Sequence, residues 1–282
     1  MKKIAIYRNS HTASIQLASK VKEKLVQAGF ICQEGLLNPD YVLSIGGDGT
    51  LLGAFHAYED HMDRVQFLGL HTGHLGFYTD WLPDEFDRMI DNLVQNRMKE
   101  TSYPLLEVKL YFQDQTIERR LALNEVALRS FGKTMVCDVS IKDVFFETFR
   151  GDGLCVATPT GSTGLNKSLG GAVLHPCVEA IQMTEMASVN NRLFRTLASP
   201  IILPKQEWLD LYPQEADIPL FLSIDHLFRD HCQIERLRLQ MAQERVHFVY
   251  AKHLHYWDRV EASFIGHRQV DKPPLQGDKS WN

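Results

Sequence analysis

The sequence predicts an α/β N-terminal region, a Rossmann-like parallel sheet with helices on its faces, followed by a β-rich, mostly antiparallel C-terminal region. Three observations carry this prediction. Short apolar runs alternate with helical stretches up to about residue 100. Glycine-bearing loops follow two of those runs, at the strand ends where parallel sheets bind ligands. Beyond residue 100 successive strand-like runs replace helical spacing. The 282 residues suit one large or two ordinary domains, divided here as 1–100 and 101–252.

Lys2 to Tyr7 is the first strand. A helix follows from about Thr12 to Ala28, with Ile15, Leu17, Ala18, Val21, Leu25 and Val26 at helical spacing and Gly29 placed to end it. Residues 31–40 form a connection with the turn pair Asn38-Pro39. Tyr41 to Ile45 is a strand, Gly46 to Gly49 a loop, and Thr50 to Tyr58 a helix that Thr50 is placed to cap. Val65 to Leu70 is a strand, followed by a second glycine loop, His71 to Tyr78. Pro83 to Gln95 is a helix with proline at its start, where the missing N–H is harmless.

The later strand expectations are Leu105 to Phe112, Thr116 to Ser130, Val136 to Ile141, Val144 to Arg150, Val156 to Thr158, Ile201 to Leu203, Leu220 to Ile224, Ile234 to Met241 and Val246 to Ala251. One helix, about Cys177 to Ala187, is expected to interrupt them. The chain from His255 is aromatic and then polar, and is expected to fray.

Apolar residues make up 44% and charged residues 23%, as in globular proteins. The formal net charge of −5 argues against a general nucleic-acid binder or an anionic-membrane binder, since both need a basic surface. A local basic pocket remains compatible with it. No apolar run reaches the roughly 20 residues of a spanning helix, and Ile4 to Tyr7 is too short for a signal h-region. Cys32, Cys137, Cys155, Cys177 and Cys232 lie far apart without C-x-x-C spacing, which reads as free thiols in a reducing, cytoplasmic compartment.

Three segments carry candidate chemistry. In Ser44-Ile45-Gly46-Gly47-Asp48-Gly49-Thr50, three glycines surround one acid. Glycine lets backbone come close to a ligand. An acid would repel a phosphate that was merely cradled, but suits a hydroxyl to be deprotonated beside one, or a metal held there. No G-x-x-x-x-G-K-[ST] pattern occurs. By itself the segment also reads as a tight turn with an aspartate cap. The second segment is Leu123-Asn124-Glu125-Val126, which alone reads as a polar pair in a strand. The third, Gly151-Asp152-Gly153 through Thr158-Pro159-Thr160-Gly161-Ser162-Thr163 to Gly171, concentrates glycines and hydroxyls as a backbone-lined polar pocket does.

In this order and spacing, Gly46-Gly47-Asp48-Gly49-Thr50, Asn124-Glu125, Gly151-Asp152-Gly153 and Thr158-Pro159-Thr160-Gly161-Ser162-Thr163 resemble the NAD kinase family, and His74-Leu75-Gly76-Phe77 fits its second glycine loop. The resemblance covers nearly the whole chain and weakens after about residue 255. It implies transfer of the γ-phosphoryl of ATP, or sometimes of polyphosphate, to the 2′-hydroxyl of the adenosine ribose of NAD, giving NADP. It also implies an α/β nucleotide-binding domain, a β-rich NAD-binding domain, a site between them, and a C-terminal tail, about 253–282, returning to the first domain.

By the same resemblance Asp48 is the base, and Gly46, Gly47, Gly49 and Thr50 meet phosphate. Asp48, Gly49, Phe77, Asn124, Glu125, Arg150, Asp152, Thr163, Gly164, Leu165, Asn166, Lys167, Ser168, Ala187 and His226 are the expected NAD contacts. Phe77 or Tyr78 is expected either to close over the nucleotide or to join the core. Mg²⁺ or another divalent cation arrives with ATP. Homodimers or homotetramers are common in the family. Two departures stand out. Gly164-Leu165 replaces the alanine and tyrosine of many members, removing an aromatic face. Asp225-His226 stands where many have Asp-Gly. A lipid or sugar kinase of the same broad superfamily and a non-catalytic NAD(P) sensor are the alternatives; Asn124-Glu125 opposes the first and Asp48 the second.

Overall fold

A computed structural model describes residues 2–73, 76–214, 219–230, 233–251 and 255–266. The first region holds β1 (Lys3–Arg8), α1 (Thr12–Gln27), β2 (Ile31–Glu34), β3 (Tyr41–Ile45), α2 (Asp48–Ala57), β4 (Gln66–Leu70) and α3 (Phe86–Val94). Its strands are parallel in the order β2-β1-β3-β4. Strand alternation directs Ile4 and Ile6 into one core with α1 and α3, and Ala5 into another with α2. The end of α1 is closed by Gly29, at φ +89°, and by the Phe30 N–H donating to the Leu25 carbonyl at 3.0 Å.

The second region begins with β5 (Lys99–Phe112), β6 (Ile117–Ala122), β7 (Glu125–Ser130), β8 (Met135–Ile141), β9 (Val144–Gly151) and β10 (Gly153–Ala157). After a 3₁₀ turn at Thr160–Thr163 come α4 (Leu165–Ser168), β11 (Ala180–Met186), β12 (Ile201–Pro204), β13 (Trp208–Pro213), β14 (Leu220–Ile224), β15 (Leu227–Arg229) and β16 (Ile234–Tyr250). Helix α5 (Tyr256–Phe264) follows.

One strand, β16, runs through both regions. It pairs antiparallel with β5 from Ile234↔Phe112 to Tyr250↔Lys99, and parallel with β4 at His247↔Gln66 and Phe248↔Phe67. The first sheet therefore continues as β2-β1-β3-β4-β16-β13-β8-β9, with β5 and β6 branching from β16. A second, antiparallel sheet, β12-β11-β10-β7-β14-β15, packs on it as a sandwich. Leu106, Val108 and Leu110 of β5 meet Val126 and Leu128 of β7 and Leu154 and Val156 of β10 in one core. Strand β5, which begins at Lys99, pairs antiparallel with β16 and β6.

Several local expectations are corrected. Ala180–Met186 is a strand, not part of a helix, although Ala, Gln, Met and Glu favour helices. Its pairing with β10 and β12 overrides that preference: Ile181 and Met183 enter the sandwich core, while Gln182 and Thr184 are buried on the other face. Residues 31–34, expected to be a connection, form the edge strand β2, in which only Cys32 is buried. The single strand expected over Thr116 to Ser130 is two, because the chain changes sheets at Leu123-Asn124. Ile234 to Met241 and Val246 to Ala251 are one strand with a register shift between Met241 and Arg245. Tyr256–Phe264, expected to fray, is a helix. Thr50 does not cap α2; Gly47 occupies that position, and the Thr50 hydroxyl accepts from Asn9 Nδ2 at 3.2 Å.

Candidate functional site

The loop after β3 is shaped by contact with its neighbours. The Gly46 N–H donates to the Leu70 carbonyl at 3.0 Å, and a Cβ on Gly46 would lie 2.2 Å from Thr50 Oγ1. Glycine is therefore required for the turn to close on the helix. Gly47 and Asp48 are half-buried and Gly49 is exposed. Asp48 is the first residue of α2, where unpaired N–H groups and the helix dipole favour negative charge.

The second glycine loop clamps that acid. Asp48 Oδ2 accepts from the Phe77 N–H at 2.8 Å and Oδ1 from the Tyr78 N–H at 3.2 Å. A Cβ on Gly76 would lie 2.3 Å from Asp48 Oδ1, so only glycine lets the two meet. The loop is backed by α5: Arg259, 6% exposed, donates to the carbonyls of Gly76 at 2.7 Å, Phe77 at 3.1 Å and Thr79 at 3.2 Å, and pairs with Asp80. Phe77 packs against Tyr256 and Phe264 of α5. Tyr78 is buried and stacks on Phe248, while its hydroxyl donates to Asn124 Oδ1. One residue thus touches both the acid and the Asn-Glu pair. His74 and Leu75 lie outside the described residues.

Asn124 and Glu125 are positioned by Asp225, at φ +52° in the β14–β15 turn. Its carboxylate accepts from the backbone N–H groups of Leu123 at 2.9 Å, Asn124 at 2.7 Å and Glu125 at 3.1 Å. Thr158 and Thr160 donate to the Leu123 carbonyl at 2.6 and 3.0 Å, fixing the same turn from the third segment.

Glu125 has a buried carboxylate oxygen, Oε2, without a hydrogen-bond partner among the described residues. Burial, reinforced by the charge of Asp225 and opposed by Arg129, pushes its carboxyl up to about 8. At neutral pH the ligand-free group is therefore protonated and offers one O–H donor beside its acceptors. The folded state binds this proton more tightly than the unfolded chain. Stability of the ligand-free protein is thus lost as pH rises from about 4.5 to about 8. Glu125→Gln is expected to raise the melting temperature at pH 8 and to flatten the pH 5–8 dependence. Parallel melting curves for wild type and variant would contradict this.

The remaining expected residues lie along β10. Register places Glu125 beside Ala157, Ala127 beside Cys155 and Arg129 beside Gly153. Alternation puts all of these on the sheet face away from the sandwich core. Gly164 is close enough to Glu125 that a Cβ would lie 3.0 Å from Oε2. Leu165 and Leu169 pack on Ala127, Cys155 and Met186. Beyond the other end of β10, Asp152 is exposed, with its N–H on the Met186 carbonyl at 2.9 Å. Arg150 lies 4.3 Å from the Phe194 ring, and exposed Ala187 has φ +45°. Glu125 and Gly164 thus lie at one end of β10, Leu165 packs against its middle, and Asp152 adjoins its other end.

Other residues of the set differ in accessibility. The Thr163 hydroxyl donates to the Thr160 carbonyl at 3.3 Å. Lys167 is exposed over Phe264, and Ser168 is exposed. Asn166 is fully buried; its amide donates to the carbonyls of Ser162 at 3.1 Å and Ala172 at 3.2 Å and so braces the loop. His226 is exposed, 5.4 Å from the His56 ring. Burial and the charge of His56 push its pKa down against the pull of Asp225. Sequence reasoning missed Arg259, His56 and the anchoring role of Asp225. Arg259 and His56 carry no local motif, and Asp225 drew notice only beside His226.

Among the described residues, no helix is long and apolar enough to cross a membrane, and no group of three or more acidic, histidine or cysteine side chains is arranged to hold a metal.

Fold and site define a class of α/β proteins in which an aspartate in a glycine turn faces an adjoining β sandwich. Residues 8–98 match the ATP-NAD kinase N-terminal domain model and residues 123–250 the ATP-NAD kinase C-terminal domain model. The chain belongs to the NAD kinase family. It is 50% identical to the NAD kinase of Latilactobacillus sakei subsp. sakei strain 23K, over 94% of this chain and 98% of that one. It is 48% identical to the NAD kinase of Enterococcus faecalis strain ATCC 700802 / V583, over 94% and 99%. Two solved structures share the fold. Yeast NADH kinase complexed with NADH gives a TM-score of 0.79 at 20% identity, covering 96% of this chain and 89% of that one. An NAD kinase from Archaeoglobus fulgidus in complex with ATP gives 0.70 at 21% identity, covering 89% and 94%.

Proposed function

We propose that the chain is an NAD kinase, which transfers the γ-phosphoryl of ATP, or of polyphosphate, to the 2′-hydroxyl of the adenosine ribose of NAD. The observation that carries this reading is the Tyr78 bridge, with its N–H on Asp48 and its hydroxyl on Asn124. It joins a candidate base to a pair suited to reading adenosine. In the reaction, the ribose oxygen attacks the γ-phosphorus, the bond from that phosphorus to the ADP oxygen breaks, and the hydroxyl proton passes to Asp48. The N–H groups of Phe77 and Tyr78 hold Asp48 in one orientation for that transfer.

Gly46, Gly47, Gly49 and Thr50, at the start of α2, are the proposed phosphate contacts. Asn124 supplies a donor and an acceptor for the adenine edge, and Glu125 meets a ribose hydroxyl through its unpartnered oxygen. Asp152, Arg150, Ala187, Thr163, Gly164, Leu165, Lys167 and Ser168 line the rest of the dinucleotide site, which the buried Asn166 braces from behind, and His226 reaches toward its phosphates. Mg²⁺ enters with ATP, since hard cations in such sites keep phosphate and water ligands. Its role is to neutralise charge on the transferred phosphoryl group.

We also infer two domains, 1–100 and 101–252, with the chain beyond returning to the first; the contacts of Arg259 with residues 76–80 support the return. A homodimer or homotetramer would cover Val144, Phe145 and Phe146, which β9 leaves exposed. The unpaired thiols of Cys32, Cys137, Cys155 and Cys177 suit the cytoplasm.

The test is purified protein with Mg-ATP and NAD, scored for NADP. Absence of NADP across metals and phosphate donors would reject the kinase reading, and dinucleotide binding without turnover would favour a sensor. Leu165→Tyr is expected to tighten NAD binding several-fold, about 0.5–1.5 kcal/mol for one aromatic contact, with little change in melting temperature. Unchanged affinity by calorimetry would remove position 165 from the ligand surface.

A further inference from the structure

His56 lies in the last turn of α2, two helical turns beyond Asp48, and its side chain is 5% exposed. Its two ring nitrogens face two different carboxylates: Nδ1 is 3.0 Å from Glu59 Oε2 and Nε2 is 2.8 Å from Asp225 Oδ2. An ionised carboxylate only accepts hydrogen bonds, and a neutral imidazole has one N–H. Satisfying both contacts in this buried place requires the doubly protonated ring.

Each carboxylate is in turn tied to the adjoining sandwich. Asp225, with its side chain fully buried, holds the N–H groups of Leu123, Asn124 and Glu125. Glu59 accepts from Arg120 Nε at 3.0 Å, Arg120 Nη2 at 2.9 Å and the Leu121 N–H at 2.8 Å. His56, Asp225, Glu59 and Arg120 thus close a cluster of two positive and two negative charges. Glu118 approaches Arg120 at 3.6 Å, the His226 ring stands 5.4 Å from His56, and Glu125 feels the charge of Asp225.

We propose that His56, as an imidazolium pinned between Asp225 and Glu59, is a positioning residue for phosphoryl transfer. It locks the helix that begins at Asp48 to the turn carrying Asn124 and Glu125, and so sets the distance between the base and the adenosine-reading pair. This inference rests on the kinase reading for its catalytic consequence, while the pin itself stands on geometry. Burial opposes the charged ring, but the two carboxylates outweigh it and hold its pKa above the ordinary value. The pin is complete below the unfolded value of 6.5 and is lost as pH rises through the elevated folded value.

The test compares wild type with His56→Gln by three measurements. The variant is expected to lose about tenfold or more in kcat with a smaller change in KM for NAD, since displaced reacting groups slow transfer more than they weaken binding. The alkaline fall in wild-type kcat that arises from His56 is expected to be absent in the variant, with any fall due to Glu125 retained. Amide exchange at Leu123, Asn124 and Glu125 is expected to accelerate while core amides of β10 keep their protection, which a general loss of stability would not produce. Nitrogen-15 NMR of the wild-type ring is expected to show both nitrogens protonated at pH 7.

Wild-type kcat and exchange in the variant, or a singly protonated ring at pH 7, would overturn the proposal. If the variant does not fold, the wild-type NMR measurement decides. If wild type makes no NADP, the kinase reading fails, while exchange and NMR still decide the pin.

Discussion

Asp48→Asn is expected to lower the rate of NADP formation by roughly 10²–10⁴-fold, the usual contribution of a positioned general base. NAD binding is expected to survive, because Asn124, Glu125 and the other proposed dinucleotide contacts are untouched. The structure adds a cost that the loop sequence does not reveal. Both carboxylate oxygens of Asp48 accept backbone N–H groups, from Phe77 and Tyr78. An asparagine amide accepts through its oxygen alone, so one of those donors faces an NH₂ group. The expected penalty is about 1–3 kcal/mol, a few degrees or more in melting temperature. Steady-state kinetics, NAD titration and thermal melts on one preparation separate these effects. A near-wild-type rate would remove Asp48 from the base role.

Gly161→Ala is expected to damage the site from the opposite side. A Cβ there would meet the Asn124 carbonyl oxygen at 2.0 Å, its carbon at 2.4 Å and its Cα at 2.6 Å. These are backbone atoms, and no rotamer change clears them. The turn must move, and it is the turn held by Asp225 through three N–H groups and by Tyr78 through the Asn124 side chain. Overpacking of this kind costs about 1–3 kcal/mol. Displacement of Asn124-Glu125 by about 1 Å is expected to lower turnover roughly 10²-fold. Wild-type melting temperature and turnover together would show that the third segment does not set the position of Asn124.

The parts of the fold legible in the sequence are those whose signals are local. The short apolar run through Ile4, Ala5 and Ile6 and the helical spacing through Leu17, Val21 and Leu25 predict the β1–α1 unit without reference to the rest of the chain. The loop at Gly46–Thr50 announces itself because glycine and a lone acid conflict with ordinary strand and helix composition. Ala180–Met186 defeats the same approach. It is buried on both faces between β10 and β12, beneath a loop whose Ala172 N–H reaches Gln182. Its composition therefore reflects neither simple exposure pattern. Asn124-Glu125 looks like any polar pair in a strand until the change of sheet at that point is known.

The sequence by itself determined the order of the glycine loops, the acid within the first, and the family pattern that joins them to residues 151–171. These depend on neighbours along the chain. Tertiary structure alone decided that β16 belongs to both regions, that Phe77 and Tyr78 orient Asp48, and that His56 and Asp225 meet across 169 residues. The physical reason is range. A strand's partner, a buried charge's counterion and the donor to a carboxylate are set by packing between distant segments, and propensity and spacing do not encode them.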